Sequence, residues 1–419
     1  MNKKIRIKDI AERAGVSVGT VDRVLHNRPN VSAASLDKVN NVLKELNYEP
    51  NMYASALAYN RSFTFYCLMP RHASEAYWDE VEDGMVEAVE FRRDFQIDVK
   101  FIHYSRLDAQ SFEDAASDCM LLNPDGVILV PPAREQAKAF ADKLHATGVP
   151  LVLLDSYMAD LQPLAFFGQD SFQSGYFAAK ILMLIAGGDP AIMLMKQGRE
   201  GYRPSQQQEN REVGFRHYME NNFPQVDIKT LTLPLDGTQK DNDRLLDDFF
   251  RNHPEVRHCI TFNSRAWIVG EYLQRHQNER VQVMGYDVVH KNADCVRRGA
   301  ISFLIAQHGF MQGFKAVDAL FRSLVLKEDI RPVNFMPIEL LSMENRLLSA
   351  FYDLRRPDKS RFHLFAYLLT QAKTDYGDHS AQFLPASSLR RLCRRRALGA
   401  YVGVQVASPL PDGGGPRRG

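Results

Sequence analysis

At 419 residues the chain is too long for one ordinary hydrophobic core and suits two or three domains. Hydrophobic residues at 45% and charged residues at 25% are average for a soluble globular protein. The net charge of +1 hides a division, +4 over residues 1–62, −10 over 63–350 and +7 over 351–419, so that only the ends suit a phosphate surface.

Ile7 to Ala14 has helical spacing, with Ile7, Ile10, Ala11 and Ala14 on one face. Gly15-Val16-Ser17 breaks it: Gly15 supplies the positive φ of a tight turn, and Ser17 caps the next helix. That helix, about Val18 to His26, turns Val21 and Val24 inward and leaves Val18, Gly19, Asp22 and Arg23 outward. After Asn27-Arg28-Pro29-Asn30, Ser32 caps a third helix to about Leu46, with Leu36, Val39, Val42, Leu43 and Leu46 inward. Two short helices about a glycine turn, closed by a third, predict a helix-turn-helix whose second helix enters the major groove.

The string KDIAERAGVSVGTVDRVLHNRPNVSAASLDKVNNVLKELNYEPN resembles the DNA-binding head of the lactose-repressor (LacI) family, the likeness running over residues 5–58. The resemblance implies that Val18, Gly19 and Arg23 occupy base-reading positions, that Ser17 and Thr20 contact phosphates, and that Asn51 belongs to the same DNA-binding set. Arg23 can donate two bonds to a guanine edge and Val18 can touch a thymine methyl, whereas Gly19 offers no side chain. Asp22 departs from the family's small residue there; it either pairs with a base such as Arg28 or accepts from a cytosine amine. NMYASALAYN (51–60) resembles the family's hinge helix, with Leu57 where a leucine enters the minor groove and kinks the central step. An ordinary linker with a core leucine is the plainer alternative. A ten-residue helix is marginal alone, so folding only on DNA beside a dimer mate is expected.

From Phe63 onward short apolar runs alternate with amphipathic stretches. Strands are expected over 63–69, 97–104, 126–130, 151–155, 191–196, 228–233, 258–262, 281–286, 301–306 and 336–341, with helices between them, for example 109–122, 134–147, 171–186, 211–222, 265–277 and 312–325. Strict βαβα alternation predicts an α/β fold of parallel sheets, here two lobes of about five strands facing across a cleft at the strand ends. This part resembles periplasmic sugar-binding proteins of the ribose-binding type. The likeness lies in short strings such as LLNPDGVILVPP, GVPLVLLDS, GQDSFQSGYFAAKIL, NREVGF, TFNSR, MGYD and LIAQHGFMQG. The fold class expected is therefore a two-lobed, doubly wound α/β body behind an all-α helix-turn-helix head. The domains read as 1–50 (DNA-binding), 51–62 (hinge), 63–346 (ligand binding and dimerisation) and 347–419 (a largely disordered extension).

By the same resemblance the ligand set is Tyr77, Trp78, Arg134, Arg211, Asn263, Asp287 and Gln307. Amides, carboxylates and guanidinium groups beside an aromatic platform suit polyhydroxyl ligands, whose hydroxyls both donate and accept. Tyr77 and Trp78 either stack a sugar face or start a helix packed on the lobe surface, and Arg134 stands at the cleft edge or on the surface. Asp170 suits a helix cap. Arg265 departs from the family's acid near Asn263, which would favour an anionic ligand such as a sugar phosphate or sugar acid.

Chemistry is not expected. The chain has no GxxxxGK[ST] loop, GxGxxG turn, HExxH helix or GxSxG elbow, and His258-Cys259 lies within a strand without an evident third partner. Cys67, Cys119, Cys259, Cys295 and Cys393 are scattered and lack CxxC spacing, arguing for reduced thiols and against a disulfide framework or zinc site. The opening MNKKIRIKDI has no apolar signal stretch, and no run of about 18 apolar residues suggests a membrane span. The expectation is a cytoplasmic regulator without cofactor or metal, partnered by operator DNA, a sugar-type effector and itself as a homodimer or tetramer. The alternative is a non-regulatory sugar-binding protein or a sugar-metabolising enzyme on a related frame. From 386 onward Gly, Pro and Arg dominate, and the basic run Arg390–Arg396 reads as solvated.

Overall fold

The computed structural model describes residues 7–25, 31–46, 61–72, 77–199 and 204–344. Asn51, Leu57, the expected hinge helix, Cys393 and the C-terminal extension lie outside these residues.

Three helices come first: α1 (Ile7–Ala14), α2 (Val18–Leu25) and α3 (Ala33–Glu45). Ile10, Ala11, Ala14, Val21, Val24, Val39 and Val42 close one small core, since helical spacing gathers them on facing stripes. Gly15 adopts φ +63° at the turn. Ser17 Oγ then accepts from the backbone N–H of Thr20 at 3.1 Å, the cap its position predicts. Ser32 Oγ does the same for α3, accepting from Ser35 N–H at 3.3 Å. Leu36 was expected inward but is 40% exposed. It sits in the first turn of α3, which two eight-residue helices are too short to cover.

The first lobe is built from β1 (Phe63–Pro70), α4 (Tyr77–Phe91), β2 (Ile97–Tyr104), α5 (Ala109–Leu121), β3 (Gly126–Leu129), α6 (Arg134–Ala146), β4 (Leu151–Leu154) and β5 (Ala165–Gly168). The chain then crosses to the second lobe: α7 (Ser171–Ile185), β6 (Ala191–Gly198), α8 (Gln206–Asn222), β7 (Asp227–Pro234), α9 (Gln239–Asn252), β8 (His258–Ile260), α10 (Trp267–Arg275), β9 (Gln282–Tyr286), α11 (His290–Arg297) and β10 (Phe303–Ala306). It returns through α12 (Gly309–Leu324) and β11 (Val333–Phe335) to the first lobe, and ends with β12 (Glu339–Leu341) in the second. The sheets run β2-β1-β3-β4-β5-β11 and β7-β6-β8-β9-β10-β12. Pairing is parallel except for β10 with β12.

Among the described residues twelve strands therefore stand where ten were expected. β5 and β11 went unread, and the single strand expected over 336–341 contracts to β12. These strands of three or four residues are too short to carry a periodicity. Their pairing is supplied by the neighbouring strand, as when the register Val333↔Phe166 extends the first sheet.

The two sheets have the same order, so each strand of one lobe has a counterpart in the other. The strings Gln169-Asp170-Ser171-Phe172-Gln173-Ser174-Gly175 and Gln307-His308-Gly309-Phe310-Met311-Gln312-Gly313 occupy equivalent crossings out of β5 and β10. Both glycines permit helix-on-helix contact. A Cβ on Gly175 would lie 1.8 Å from the carbonyl oxygen of Arg211, and one on Gly313 would lie 1.9 Å from that of Val81. Thus α7 lies backbone to backbone on α8, and α12 on α4. Asp170 caps α7 by accepting from Gln173 N–H. Two apolar clusters lie on opposite faces of the first sheet, one beneath α4 and α12 and one beneath α5 and α6, while a third packs α7 and α8 on the second sheet.

Three connections join the lobes, and Gln169 ties them together. Its Nε2 donates to the carbonyls of Ala306 and Pro337, both at 2.8 Å. Met336 N–H donates to Gly168 O at 2.8 Å. Every lobe-to-lobe crossing is thus hydrogen-bonded to another, and buried amides held this way fix a geometry.

Candidate ligand-binding cleft and DNA-reading head

Asp155 and Asp287 occupy equivalent positions, one residue past β4 and one past β9, with φ of 67° and 70°. A left-handed turn at a non-glycine residue is sparsely populated and concentrates at functional sites, and aspartate is among the few side chains that tolerate it. Each carboxylate is thereby turned out of its strand end toward the opposite lobe. Both are buried. Burial pushes the Asp287 carboxyl up to about 6, against the pull of Arg211 and a hydrogen bond from Gln307, with Asp155 adding to the rise. Burial likewise raises the carboxyl of Asp155, opposed by Arg106, Arg211 and hydrogen bonds from Ser156 and Gln207.

Arg211 lies at the centre. It projects from the second turn of α8 and is 1% exposed, which demands partners for its charge. Its guanidinium donates through Nη1 to Phe262 O at 3.0 Å and through Nη2 to Gln307 Oε1 at 2.5 Å, and lies 4.0 Å from the centre of the Tyr286 ring. Gln307 Oε1 also accepts from Gln207 Nε2 at 2.6 Å, and Gln307 Nε2 donates to Asp287 Oδ1 at 2.5 Å. The chain Gln207–Gln307–Asp287 beside Arg211 is held by hydrogen bonds throughout. Tyr77, at the start of α4 in the other lobe, feels the charges of both Asp155 and Asp287, and its hydroxyl is pushed well above the usual range, chiefly by burial. Groups from both lobes thus converge on one buried spot.

Three of these side chains present a buried polar atom without a hydrogen-bond partner among the described residues: Tyr77 Oη, Arg106 Nη2 and Arg211 Nε. An unpaired buried donor costs about 1–3 kcal/mol, so these atoms mark where a polar ligand would be rewarded. With two carboxylates opposite, the spot offers donors and acceptors together, as hydroxyl groups require.

The sequence-derived residues divide as follows. Tyr77, Arg211, Asp287 and Gln307 come together. Trp78 is half-buried against the first-lobe core, meets Tyr77 edge-on at 5.0 Å and carries the Arg106 guanidinium 5.7 Å from its ring, so it supports the cleft wall. Asn263 follows the strand end whose Phe262 carbonyl holds Arg211. Its Oδ1 accepts from Arg265 N–H at 2.9 Å and Thr261 Oγ1 at 3.2 Å, closing an Asx turn. Arg134 is not brought in: its side chain is 52% exposed and pairs with Asp160 at 2.8 Å. Arg265 donates to Leu235 O at 2.9 Å.

Sequence reasoning missed Asp155, Arg106 and Gln207, and it missed Asn292. The fully buried Asn292 donates through Nδ2 to the carbonyls of Ser264, Tyr286 and Asp287 and accepts from Trp267 N–H, so it clamps the two loops that carry Asn263 and Asp287.

In the head, Val18 and Gly19 are exposed in the first turn of α2, Ser17 is exposed just before it and Arg23 is exposed in its last turn, while Thr20 is half-buried with its hydroxyl 2.9 Å from Ser17 Oγ. Val18 is 49% exposed. Asp22 is half-buried.

A family model described as bacterial regulatory proteins, lacI family, matches residues 6–51, and a periplasmic binding protein domain model matches residues 65–328. A crystal structure of a candidate LacI transcriptional regulator from Bacteroides fragilis is 42% identical, with a TM-score of 0.66 over 68% of this chain and 98% of that one. The chain belongs to the lacI family of bacterial regulatory proteins. Among curated relatives of this regulator, the HTH-type transcriptional regulator DegA of Bacillus subtilis is 27% identical over 258 residues, 60% of this chain and 71% of DegA. Catabolite control protein A of Staphylococcus xylosus is 29% identical over 149 residues, 36% of this chain and 43% of that protein's length. An ABC transporter solute binding protein from Burkholderia graminis, in complex with D-arabinose, shares the fold of the regulator's body at 13% identity, with a TM-score of 0.60 over 68% of this chain and 96% of that one. No described helix is long and apolar enough to cross a membrane.

Proposed function

We propose that this lacI-family regulator binds a pseudo-palindromic operator as a homodimer or tetramer in the cytoplasm, and that a sugar or sugar derivative held between its lobes switches that affinity. The observation that carries the proposal is the single buried network to which both lobes contribute: Asp155, Arg106 and Tyr77 from one side, Arg211, Asp287, Gln207 and Gln307 from the other. A ligand bonded to both halves favours the closed arrangement over any open one, and that differential affinity shifts the equilibrium. Two carboxylates balance two guanidinium groups, which favours an uncharged polyol over the sugar phosphate or sugar acid suggested by Arg265. The D-arabinose bound by a protein of the same fold supports the sugar class.

At the DNA, Val18 and Arg23 read bases, Gly19 lets the backbone approach, and Ser17 and Thr20 hold phosphates. Asn51 and Leu57 belong to the same interface by resemblance. Closure changes the spacing of the paired heads, and the hinge segments around Leu57 form or melt with it. The coupling is reciprocal: a sugar that loosens DNA must bind the DNA complex more weakly by the same factor. Repression relieved by sugar is the sign proposed. No residue is given a catalytic role. Cys67, Cys119, Cys259 and Cys295 lie buried as free thiols.

The test is calorimetric titration of the full-length protein with D-arabinose, other pentoses and hexoses, myo-inositol and sugar phosphates, in wild type and Arg211→Met. Binding of one member, lost in the variant while its urea unfolding midpoint stays within experimental error, supports the cleft. Equal binding by both proteins refutes it.

A further inference from the structure

A second cluster of polar groups lies beside the cleft, outside the network above. His72 follows the end of β1, His103 is the penultimate residue of the edge strand β2, and Asp79 and Glu82 stand three residues apart on one face of α4. His103 Nε2 lies 2.7 Å from Glu82 Oε1, while His72 Nε2 lies 3.0 Å from Asp79 Oδ1 and 3.7 Å from Glu82 Oε1. One ligand atom from each of His72, Glu82 and His103 falls within 4.8 Å of the others, the only such group of His, Cys, Asp and Glu among the described residues.

Two features separate this cluster from a chance surface ion pair. His72 is nearly buried, its side chain 10% exposed, and its other ring nitrogen, Nδ1, faces the carbonyl oxygen of Pro70 at 3.1 Å. With Nδ1 against that carbonyl, Nε2 is the ring nitrogen turned toward the carboxylates of Asp79 and Glu82, where a ligand atom would stand. A backbone carbonyl behind a ligating imidazole is the usual outer-shell support of a metal-bound histidine. Second, the ligands come from three separate elements whose placement is fixed by sheet register, Met69 opposite His103 and Pro70 opposite Tyr104, so that the histidines are neighbours by construction.

We propose that His72, His103 and Glu82, with Asp79 as a fourth ligand, form a binding site for a divalent transition-metal ion of the zinc class. Two imidazoles and two carboxylates are a borderline-hard set suited to Zn(II), Co(II) or Ni(II) and poorly suited to Mg(II). Ligand atoms about 2.0–2.1 Å from a tetrahedral ion stand about 3.3 Å apart. The separations of 2.7, 3.0 and 3.7 Å lie on both sides of that edge, and the ligand atoms of His72, Glu82 and His103 fall within 4.8 Å of one another, so side-chain adjustments of about an ångström would admit the ion. Such an ion would join β1 and β2 to the first turns of α4, the helix that begins with Tyr77, and so stiffen one wall of the cleft.

The test uses full-length, tag-free protein freed of metal, titrated with Zn(II) against a chromogenic chelator and separately with Co(II) while visible absorption is followed. One Zn(II) per chain at micromolar affinity or tighter is expected, with Co(II) giving the intense visible bands of a four-coordinate site. His103→Gln should weaken Zn(II) at least about 100-fold and abolish the Co(II) bands. Because His103 is on an edge strand and partly exposed, that variant should keep the wild-type urea midpoint, and it decides the matter even where His72→Ala fails to fold. Absence of wild-type Zn(II) binding, or binding of equal stoichiometry and affinity in His103→Gln and Glu82→Gln, overturns the proposal and leaves a hydrogen-bonded histidine–carboxylate cluster.

Discussion

Asp287→Asn should stabilise the regulator at neutral pH while crippling its ligand site. In the folded chain burial lifts the Asp287 carboxyl from 3.8 to about 6. A carboxyl raised on folding makes its stabilising contribution fully below the unfolded value, and loses it as pH rises through the folded one. The window is therefore pH 3.8 to about 6, and the loss across it, about 1.4 kcal/mol per pH unit, comes to about 3 kcal/mol. Asparagine keeps an Oδ1 acceptor for Gln307 Nε2 but has no charge to lose. The variant should match wild type below pH 4 and exceed it by up to about 3 kcal/mol at pH 7.5, in urea unfolding without ligand. In the ligand site proposed above, the same change would replace a charge-assisted ligand hydrogen bond with a neutral one, a loss of about 1–2 kcal/mol, or roughly 5- to 30-fold in Kd. Instability equal at both pH values, with the wild-type pH slope retained, would show that the carboxylate supports the fold and would refute the reasoning.

Gln169→Leu removes three hydrogen bonds, the two donated to the carbonyls of Ala306 and Pro337 and the one accepted from Ser174 Oγ. It should cost about 2–4 kcal/mol in urea unfolding and uncouple the lobes, so that any sugar effect on operator affinity shrinks. Gly175→Ala places a methyl group against the Arg211 backbone and should cost at least about 1–3 kcal/mol while displacing the Arg211 side chain, seen as a joint fall in stability and sugar affinity. Arg134→Ala, by contrast, breaks only an exposed pair with Asp160; stability should change by less than about 1 kcal/mol, with sugar affinity within twofold. Arg23→Ala should cost about 1–3 kcal/mol of discrimination at one base pair of each half-site; equal loss on every duplex in a binding-site library would contradict a base-reading role.

The head was legible because its rules are local. Gly15, Ser17 and Ser32 act within three residues of themselves, and the valine stripes follow helical spacing. In the body the longer strands announced themselves as apolar runs, but β5, β11 and β12 exist only because a neighbouring edge accepts them. Of the cleft, Arg211, Asp287 and Gln307 came through family resemblance. Asp155 stood in an equally plain place, the end of GVPLVLLDS, and matches Asp287 at the end of MGYD once the lobes are seen as repeats. The recurring Gln169…Gly175 and Gln307…Gly313 strings carried that repeat openly. Arg106, Gln207 and Asn292 carried no such signal. Their roles depend on loops far apart in sequence meeting in space, as when Asn292 spans from Ser264 to Asp287. Arg134 was placed by its distance from a strand end, which fixes the loop but not the direction of a long side chain.

The central claim is that one ligand in the buried network changes affinity for one DNA sequence. Fluorescence anisotropy on full-length protein at fixed salt, with an operator selected from a pseudo-palindromic duplex library, measures both halves together. The account predicts sequence-selective binding that one sugar of the panel shifts at least about fivefold in wild type and leaves unchanged in Arg211→Met. Tight binding that is indifferent to sequence and falls steeply with salt, or a sugar effect that survives in Arg211→Met, would contradict it.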